Sequence, residues 1–341
     1  MKTLVTGANG LLGSNVVREL LRRGHEVRVL VRANADLRTL RGLGIDFFEG
    51  DLADEKRLIE ACRDCDFVIH AAGKTAGKET AFSDYAGSNI GGTQRIVRAA
   101  KKAAIRRMVY VSSCCVFSGG TLENPGTELS EFTGFRYNSG YINSKYLALQ
   151  WVLSEVERSG FPIVSVNPTL MLGPYDSRPS SGEAILHVLR HNLQPCPTGG
   201  KNFVDVRDAA MGTCNALSMG IPGECYLLAG ENLSFTDFYA KVDRIYGRPP
   251  RRISMPGAVL KGAGLAGNIV RSITRHNISL NYVNACQLAT ESYFSGSKAA
   301  RNLDFPLQPV DSAIEDAINW FIENGFLAPR AEERIFVPVA A

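Results

Sequence analysis

Residues Val5–Gly13 read VTGANGLLG, and three of them, Gly7, Gly10 and Gly13, stand three residues apart. Before them lies a short apolar run, Lys2–Thr6. After them, Leu11–Arg23 places Leu12, Val16, Leu20 and Leu21 at helical spacing, and Gly24 ends the pattern. A glycine turn between a strand and a helix is a seat for a dinucleotide. Gly7 permits the tight turn, Gly10 lets a pyrophosphate approach the backbone, and Gly13 lets the helix pack close to the sheet. Asn9, Leu11 and Leu12 share the turn and are assigned to cofactor binding with it. A glycine pattern alone is weak evidence; the strand–turn–helix setting gives it weight.

The alternation continues. Strands are expected at Glu26–Val31, Asp46–Glu49, Asp66–His70, Met108–Ser112 and Ile163–Val166. Helices are expected at Asp54–Cys62, Asn89–Ala104 and Ser139–Ser159. Strand–helix alternation with short connections builds βαβ units, hence an α/β fold with a doubly wound parallel Rossmann sheet whose ligand lies beyond the carboxyl ends of its strands. After Pro168 the pattern loosens. Gly173–Gly182 (GPYDSRPSSG) is a polar loop, short helices follow at Asp205–Ser218, Phe235–Tyr246 and Asp311–Asn324, and Pro256–Arg275 is apolar and basic. The expected organisation is a dinucleotide-binding domain over 1–167, to which 200–230 returns, and a smaller, mostly helical C-terminal substrate lobe from 168–199 and 231–330.

Composition narrows the function classes. A chain of 341 residues buries a sizeable core, and a net charge of +4 is too small to argue for a nucleic-acid partner. The eight cysteines are scattered. The one CxxC, Cys62 to Cys65, has no second Cys or His pair at zinc spacing, so reduced thiols in a cytoplasmic protein are expected, and no metal. No apolar run reaches the roughly 18–20 residues of a membrane helix. The N-terminus enters a strand at once, so neither a signal peptide nor an integral membrane segment is expected. For Pro256–Arg275 a loosely packed helix of the substrate lobe is favoured over a membrane-surface role.

The second strand bears on the cofactor. A carboxylate at its end binds a free ribose 2′-hydroxyl and repels a 2′-phosphate. Here Val31 is followed by Arg32, and no acid appears until Asp36. Arg32 can pair with a phosphate, and Arg38 is near enough to help, so NADP(H) is favoured over NAD(H). The competing reading of Arg32 is a solvated loop arginine. Asp51 suits the adenine amino group, with Leu52 against the ring. Ala71, Ala72 and Gly73, in HAAG, suit a backbone lying along the cofactor, and His70 reads as a packed strand residue.

The fifth strand ends in VSSCCVF, Val111–Phe117, which puts Val111, Ser112 and Ser113 beside the expected nicotinamide. The next helix carries Tyr141 and Lys145 on one face, four residues apart. Such a pair occurs by chance; the cofactor turn is what gives it meaning. The Lys145 ammonium is expected to favour the Tyr141 phenolate and lower its pKa, so that Tyr141 exchanges a proton with a carbonyl or alcohol oxygen that Ser113 holds.

These elements, TGANGLLG, GDLAD, HAAG, NIGGT (Asn89–Thr93), VSSCCVF, YINSK and NPTLMLGP (Asn167–Pro174), occur in the order of the extended short-chain dehydrogenase/reductase family, which the chain clearly resembles. Within it, the resemblance is strongest to bacterial relatives of dihydroflavonol 4-reductase. It implies Ser113, Tyr141 and Lys145 as a catalytic triad, Ser113 being chosen over Ser112 by its distance from Phe117. It also implies Asn89, Pro168, Thr169 and Leu170 beside the cofactor, a ribose contact for Lys145, and a homodimer through the Asn89–Ala104 and Ser139–Ser159 helices. Ser118 stands where plant flavonoid reductases carry an Asn, which argues against a flavonoid substrate. Lys74, Thr75, Phe82, Phe117, Ser118, Tyr137, Met171 and Phe203 are expected to line a site for a small-molecule carbonyl compound. The leading expectation is NADPH-dependent reduction of a ketone or aldehyde. The alternatives are a sugar-nucleotide epimerase or dehydratase, a hydroxysteroid-type dehydrogenase, and a non-catalytic dinucleotide sensor.

Overall fold

The computed structural model describes residues 1–77, 81–190, 194–250, 252–274, 285–286 and 288–329. Its strands are β1 (Lys2–Thr6), β2 (Glu26–Val31), β3 (Asp46–Glu49), β4 (Phe67–His70), β5 (Arg107–Val111), β6 (Ile163–Pro168), β7 (Leu170–Leu172), β8 (Gln194–Pro197), β9 (Gly200–Asp205), β10 (Cys225–Leu228), β11 (Glu231–Ser234), β12 (Arg252–Met255) and β13 (Glu291–Ser292). Seven of them form one parallel sheet in the order β10-β6-β5-β4-β1-β2-β3. The order reverses between β1 and β4, and that switch point opens the crevice that doubly wound sheets use for ligands.

Both faces of the sheet are covered, which is why its strands read as near-continuous apolar runs. One face packs on α1 (Leu11–Arg22) through Val16, Val17 and Leu20, and on a later helix through Ala209 and Ala210. The other packs on α2 (Glu55–Cys62), α4 (Thr93–Lys102) and α5 (Gly140–Ser159) through Leu58, Ile96, Val97, Leu149 and Val152. Caps place these helices. Asp54 accepts from the amides of Lys56 and Arg57 to start α2, and Ser139 accepts from Ile142 to start α5. Gly160, at φ +66°, ends α5.

The expected helix over Asn89–Ala104 begins differently. A short α3 (Ser83–Ala86) leads into a π-helical turn, Gly87–Gly92, before α4. Gly92 lies under Leu52, where an added Cβ would stand 3.0 Å from the Leu52 side chain. Wide turns of this kind often mark functional sites.

Beyond the sheet, α6 (Glu183–Arg190), α8 (Phe235–Tyr246) and a C-terminal helix over Asp311–Glu323 enclose a separate apolar core that includes Ile185, Phe203, Phe238 and Phe321. The helices α7 (Val206–Asn215), α9 (Gly257–Thr274), α10 (Ser297–Leu303) and α11 (Asp311–Glu323) complete the order. This part also holds strands that the sequence pattern did not reveal: β7, β9, β11 and β13 form one small sheet, and β8 pairs with β12. They run from two to six residues, too short for an alternating pattern to declare itself. Residue 275, the end of the apolar Pro256–Arg275 segment, falls outside the described residues.

His70 fixes the centre of the sheet. It is fully buried, its Nδ1 is 2.7 Å from Thr6 Oγ1 and its Nε2 is 3.1 Å from Thr93 Oγ1, so one ring links β4 to β1 and to α4. Burial, with the Lys145 charge adding to it, pushes its pKa down to about 3. The folded pKa lies below the unfolded value of about 6.5, so the unfolded chain binds the extra proton. The stability that neutral His70 contributes is complete above about pH 6.5 and drains away as the pH falls toward 3. Urea unfolding at several pH values should show the wild type losing a few kcal/mol between pH 6.5 and 4. His70→Gln should be weaker at pH 7 and flatter over that range; an equally steep variant would place the titration elsewhere.

Candidate active site

A cleft of about 1250 Å³ runs across the carboxyl ends of β1, β2, β4, β5 and β6. Its walls at one end are the glycine turn. Gly7 has φ +71°, and a Cβ there would stand 2.6 Å from the Ala72 amide nitrogen; a Cβ on Gly13 would stand 2.1 Å from the Gly7 carbonyl oxygen. Both positions admit only glycine, and the space preserved lies at the N-terminus of α1, where unpaired amides and the helix dipole favour a phosphate. These residues fit a dinucleotide. Asn9, Gly10, Leu11 and Leu12 line the same end. Asn9 also donates to the Asp36 carbonyl, 3.1 Å, and accepts from Thr39 Oγ1, 3.2 Å, tying the segment after β2 to the turn.

Further along the cleft stand Val31, Arg32, Asp51, Leu52, Ala71, Ala72 and Gly73, then Val111, Pro168, Thr169 and Leu170. Arg32 is exposed at the rim. Arg38 is not among the lining residues; it pairs with Asp36 at 2.8 Å. Asn89 is buried behind the wall rather than in it. Its Oδ1 accepts from the Lys74 amide at 2.7 Å, and its Nδ2 donates to the Lys74 carbonyl and to Ser144 Oγ at 3.1 and 2.9 Å. Asn89 therefore ties the Lys74 backbone to α5.

At the chemical end, Ser113 follows β5 and Tyr141 enters from the first turn of α5. The two side chains interact, and Tyr85 lies edge-on to Tyr141 with ring centroids 5.9 Å apart. Lys145 is buried, donates from Nζ to the Val111 carbonyl at 3.1 Å, and lies beside Gly73, where a Cβ would be 3.6 Å from Nζ. The sequence led to the expectation that Lys145 lowers the pKa of Tyr141. The structure reverses this: burial pushes the Tyr141 phenol above its ordinary value, and pushes Lys145 down to about 8. Removal from water penalises the charged form of each group and is the largest cause of both shifts.

Lys74, Thr75, Phe117, Ser118, Tyr137 and Met171 all face the cleft. Two expected lining residues do not. Phe82 is exposed at the start of α3 and outside the cleft. Phe203 on β9 is fully buried and stacked on Phe238, centroids 4.2 Å apart, as part of the apolar core beyond the sheet.

A model of the NAD-dependent epimerase/dehydratase family matches residues 3–229. The chain belongs to this family. It is similar to the sterol demethylase protein B of Methylococcus capsulatus, 30% identical over 96% of this chain and all of that protein. It is also similar to a putative dihydroflavonol 4-reductase of Synechocystis, 32% identical over 95% of each chain. Among solved structures it resembles that of gox2253, with a TM-score of 0.85 and 30% identity over 95% of this chain and 98% of that one. As a family member of the short-chain dehydrogenase/reductase type, the protein is an NAD(P)-dependent enzyme acting on alcohol and carbonyl groups.

Tyr85 and Lys201 are among the cleft residues that the sequence pattern did not reveal. Tyr85 rides on α3, a four-residue helix too short to read from periodicity. Lys201 enters from β9, and burial lowers its pKa, with the Cys114 and Cys115 thiols as its charge neighbours. Its signal was a lone cation inside the otherwise uncharged GGKNFV.

The low pKa of Lys145 is directly observable. In the protein without cofactor, NMR of labelled lysine side chains should show one resonance titrating near pH 8, absent from Lys145→Met. If every lysine in the wild type titrates near 10, the Lys145 ammonium is better solvated than this packing allows.

Proposed function

We propose that the protein reduces a ketone or aldehyde to an alcohol with NADPH, using Ser113, Tyr141 and Lys145. The observation that carries this reading is the Tyr141 phenol, held protonated by burial and facing Ser113 at the inner end of the cleft. A phenol that keeps its proton across neutral pH is a donor, which suits reduction. Ser113 donates to the substrate oxygen and orients it, and Tyr141 delivers the proton to that oxygen as charge develops there. Lys145, between Val111 and Gly73, would hold the ribose of a bound cofactor. When bound, the nicotinamide supplies hydride.

The cofactor is held by residues of the glycine turn, by Asp51 and Leu52, by Ala71–Gly73 and by Pro168–Leu170. Arg32, at the end of β2 with no carboxylate in its place, takes the 2′-phosphate. Residues 1–167, with the return of α7 and β10, form the cofactor half, and β9 (Gly200–Asp205) joins the small sheet of the substrate half. The eight unpaired cysteines agree with a cytoplasmic setting, and the exposed face of α5, which includes Leu147, agrees with a homodimer. Phe117, Met171 and Phe294 among the lining residues favour an apolar carbonyl compound over a sugar nucleotide. The likeness to the sterol demethylase protein B of Methylococcus capsulatus supports the same reading.

A panel of apolar ketones, aldehydes and nucleotide sugars, with NADPH oxidation followed by absorbance, tests the reading. Tyr141→Phe should bind NADPH as the wild type does and lose roughly two to four orders of magnitude in turnover. Near-wild-type turnover in that variant would mean that the proton comes from elsewhere. Arg32→Ala should weaken NADPH by about 1–3 kcal/mol and leave NADH nearly unchanged. Equal weakening of both cofactors would remove the NADP assignment while leaving the reductase intact.

A further inference from the structure

Lys201 is a cation in the cleft wall that the reduction scheme leaves idle. It sits on β9, a strand held on both sides: Ser292 of β13 is its register partner on one edge and Leu233 of β11 on the other. The lysine is therefore placed by paired backbone and not by a loop. Its side chain lines the cleft with Ser113, Phe117, Met171 and Phe294. Burial lowers its pKa, and its charge neighbours are the Cys114 and Cys115 thiols, which directly follow Ser113. Among the described residues Lys201 makes no ion pair and no side-chain hydrogen bond.

A part-buried ammonium without a partner is destabilising, because the protein returns little of the hydration that the charge loses. Three carboxylates reach the cleft and none answers it. Asp51 follows β3, the far edge strand of the large sheet. Asp176 is buried and held by the amides of Ser180 and Gly182. Glu291 is exposed and is not a charge neighbour of Lys201. Two more cations, Arg136 and Arg178, stand exposed along the same cleft and make no ion pair among the described residues. The chain thus sets positive charge here without supplying the counter-charge.

We propose that Lys201 holds the carboxylate of an oxo acid whose carbonyl oxygen is the one that Ser113 and Tyr141 engage. The proposal rests on the reductase reading for the carbonyl, but not for the carboxylate. An ammonium carries one charge and three donors, which matches a single carboxylate. Phe117, Met171 and Phe294 around it suit the hydrocarbon part of such an acid, and with less water nearby the attraction between the two charges is stronger. Arg136 and Arg178 raise the local concentration of anions at the cleft. A phosphate monoester is the weaker fit. It carries nearly two charges near neutral pH, and of these three cations only Lys201 is withdrawn from solvent. A neutral ketone would leave the ammonium unpaired, so the same lysine selects for the acid.

Calorimetry on the full chain saturated with its oxidised dinucleotide tests the carboxylate seat without turnover. The probes are decanoate, decanamide and decyl phosphate. Decanoate should bind roughly ten- to a hundredfold more tightly than decanamide, the range for one charge-assisted contact. Lys201→Met should bring the two to the same affinity while keeping the wild-type unfolding curve, and Lys201→Arg should keep the preference. The proposal is overturned if the wild type binds decanamide as tightly as decanoate, if it binds neither, or if Lys201→Met still prefers decanoate. It is equally overturned if decyl phosphate binds most tightly of the three, which would make the site one for a dianion. A turnover arm separates the two readings. With NADPH, 4-oxodecanoate should have a higher kcat/KM than its methyl ester, and Lys201→Met should lower the value for the acid by a similar factor. A decanoate preference carried by Lys201, with no oxo acid reduced, would sink the reductase reading and leave the carboxylate seat in place.

Discussion

The fold turns on a near-collision. The Gly7 carbonyl, the Gly13 α-carbon and the Ala72 amide lie so close that a single methyl group at Gly7 or Gly13 would overlap backbone. That closeness sets the first helix against the sheet, directs its amides into the crevice between β1 and β4, and brings the end of β4 beside the turn. Every other wall of the cleft is referred to this point. Asn9 carries the register to the segment after β2, and His70 carries it through Thr6 and Thr93 into α4. No interaction energy here is large. The specificity comes from excluded volume, which tolerates no compromise at backbone atoms.

At the other end of the cleft the governing effect is desolvation. Tyr141 and Lys145 stand one helical turn apart, and a simple charge argument has the ammonium drawing out the phenolate. Enclosure by Tyr85, Val111 and Gly73 shifts the balance, since both groups gain by being neutral when water is removed. The pair therefore rests as a neutral phenol beside a lysine that surrenders its proton unusually easily.

The sheet was legible because a doubly covered parallel sheet leaves a plain pattern: strands that are apolar throughout, helices with a single apolar face, and polar caps such as Asp54 and Ser139 at their starts. Lys2–Thr6, Glu26–Val31 and Asp46–Glu49 were readable to the residue. The cleft was legible where it depends on backbone, in glycines and small residues. It was less so where side-chain direction decides. Phe203 looked like a wall residue, but its side chain turns into the structure and fills a core. Arg38 was near enough to Arg32 in sequence to share its work, yet Asp36 claims it. The small strands near Lys201 carry too few residues for periodicity, so the cation that they deliver had no pattern to announce it.

One connection shows how the two ends of the cleft are made to agree. The first helix, which carries the glycine turn, also holds the polar loop that borders the substrate end. Asn15 donates to the Pro174 carbonyl at 3.2 Å, and the Arg18 guanidinium lies 3.5 Å above the Tyr175 ring. Tyr175 sits at φ +76°, a conformation that a tyrosine holds only when its surroundings impose it. The next residue, Asp176, is buried and accepts from the amides of Ser180 and Gly182 at 2.9 and 3.0 Å, which closes the loop on itself. The strain at Tyr175 is offset by the arginine stacked on it and by the carboxylate latch beside it. A shift of the first helix would move Arg18 and Asn15 with it, and the loop would follow. The glycine turn thus positions the substrate wall as well as the phosphate seat, through two side chains on the far side of the same helix.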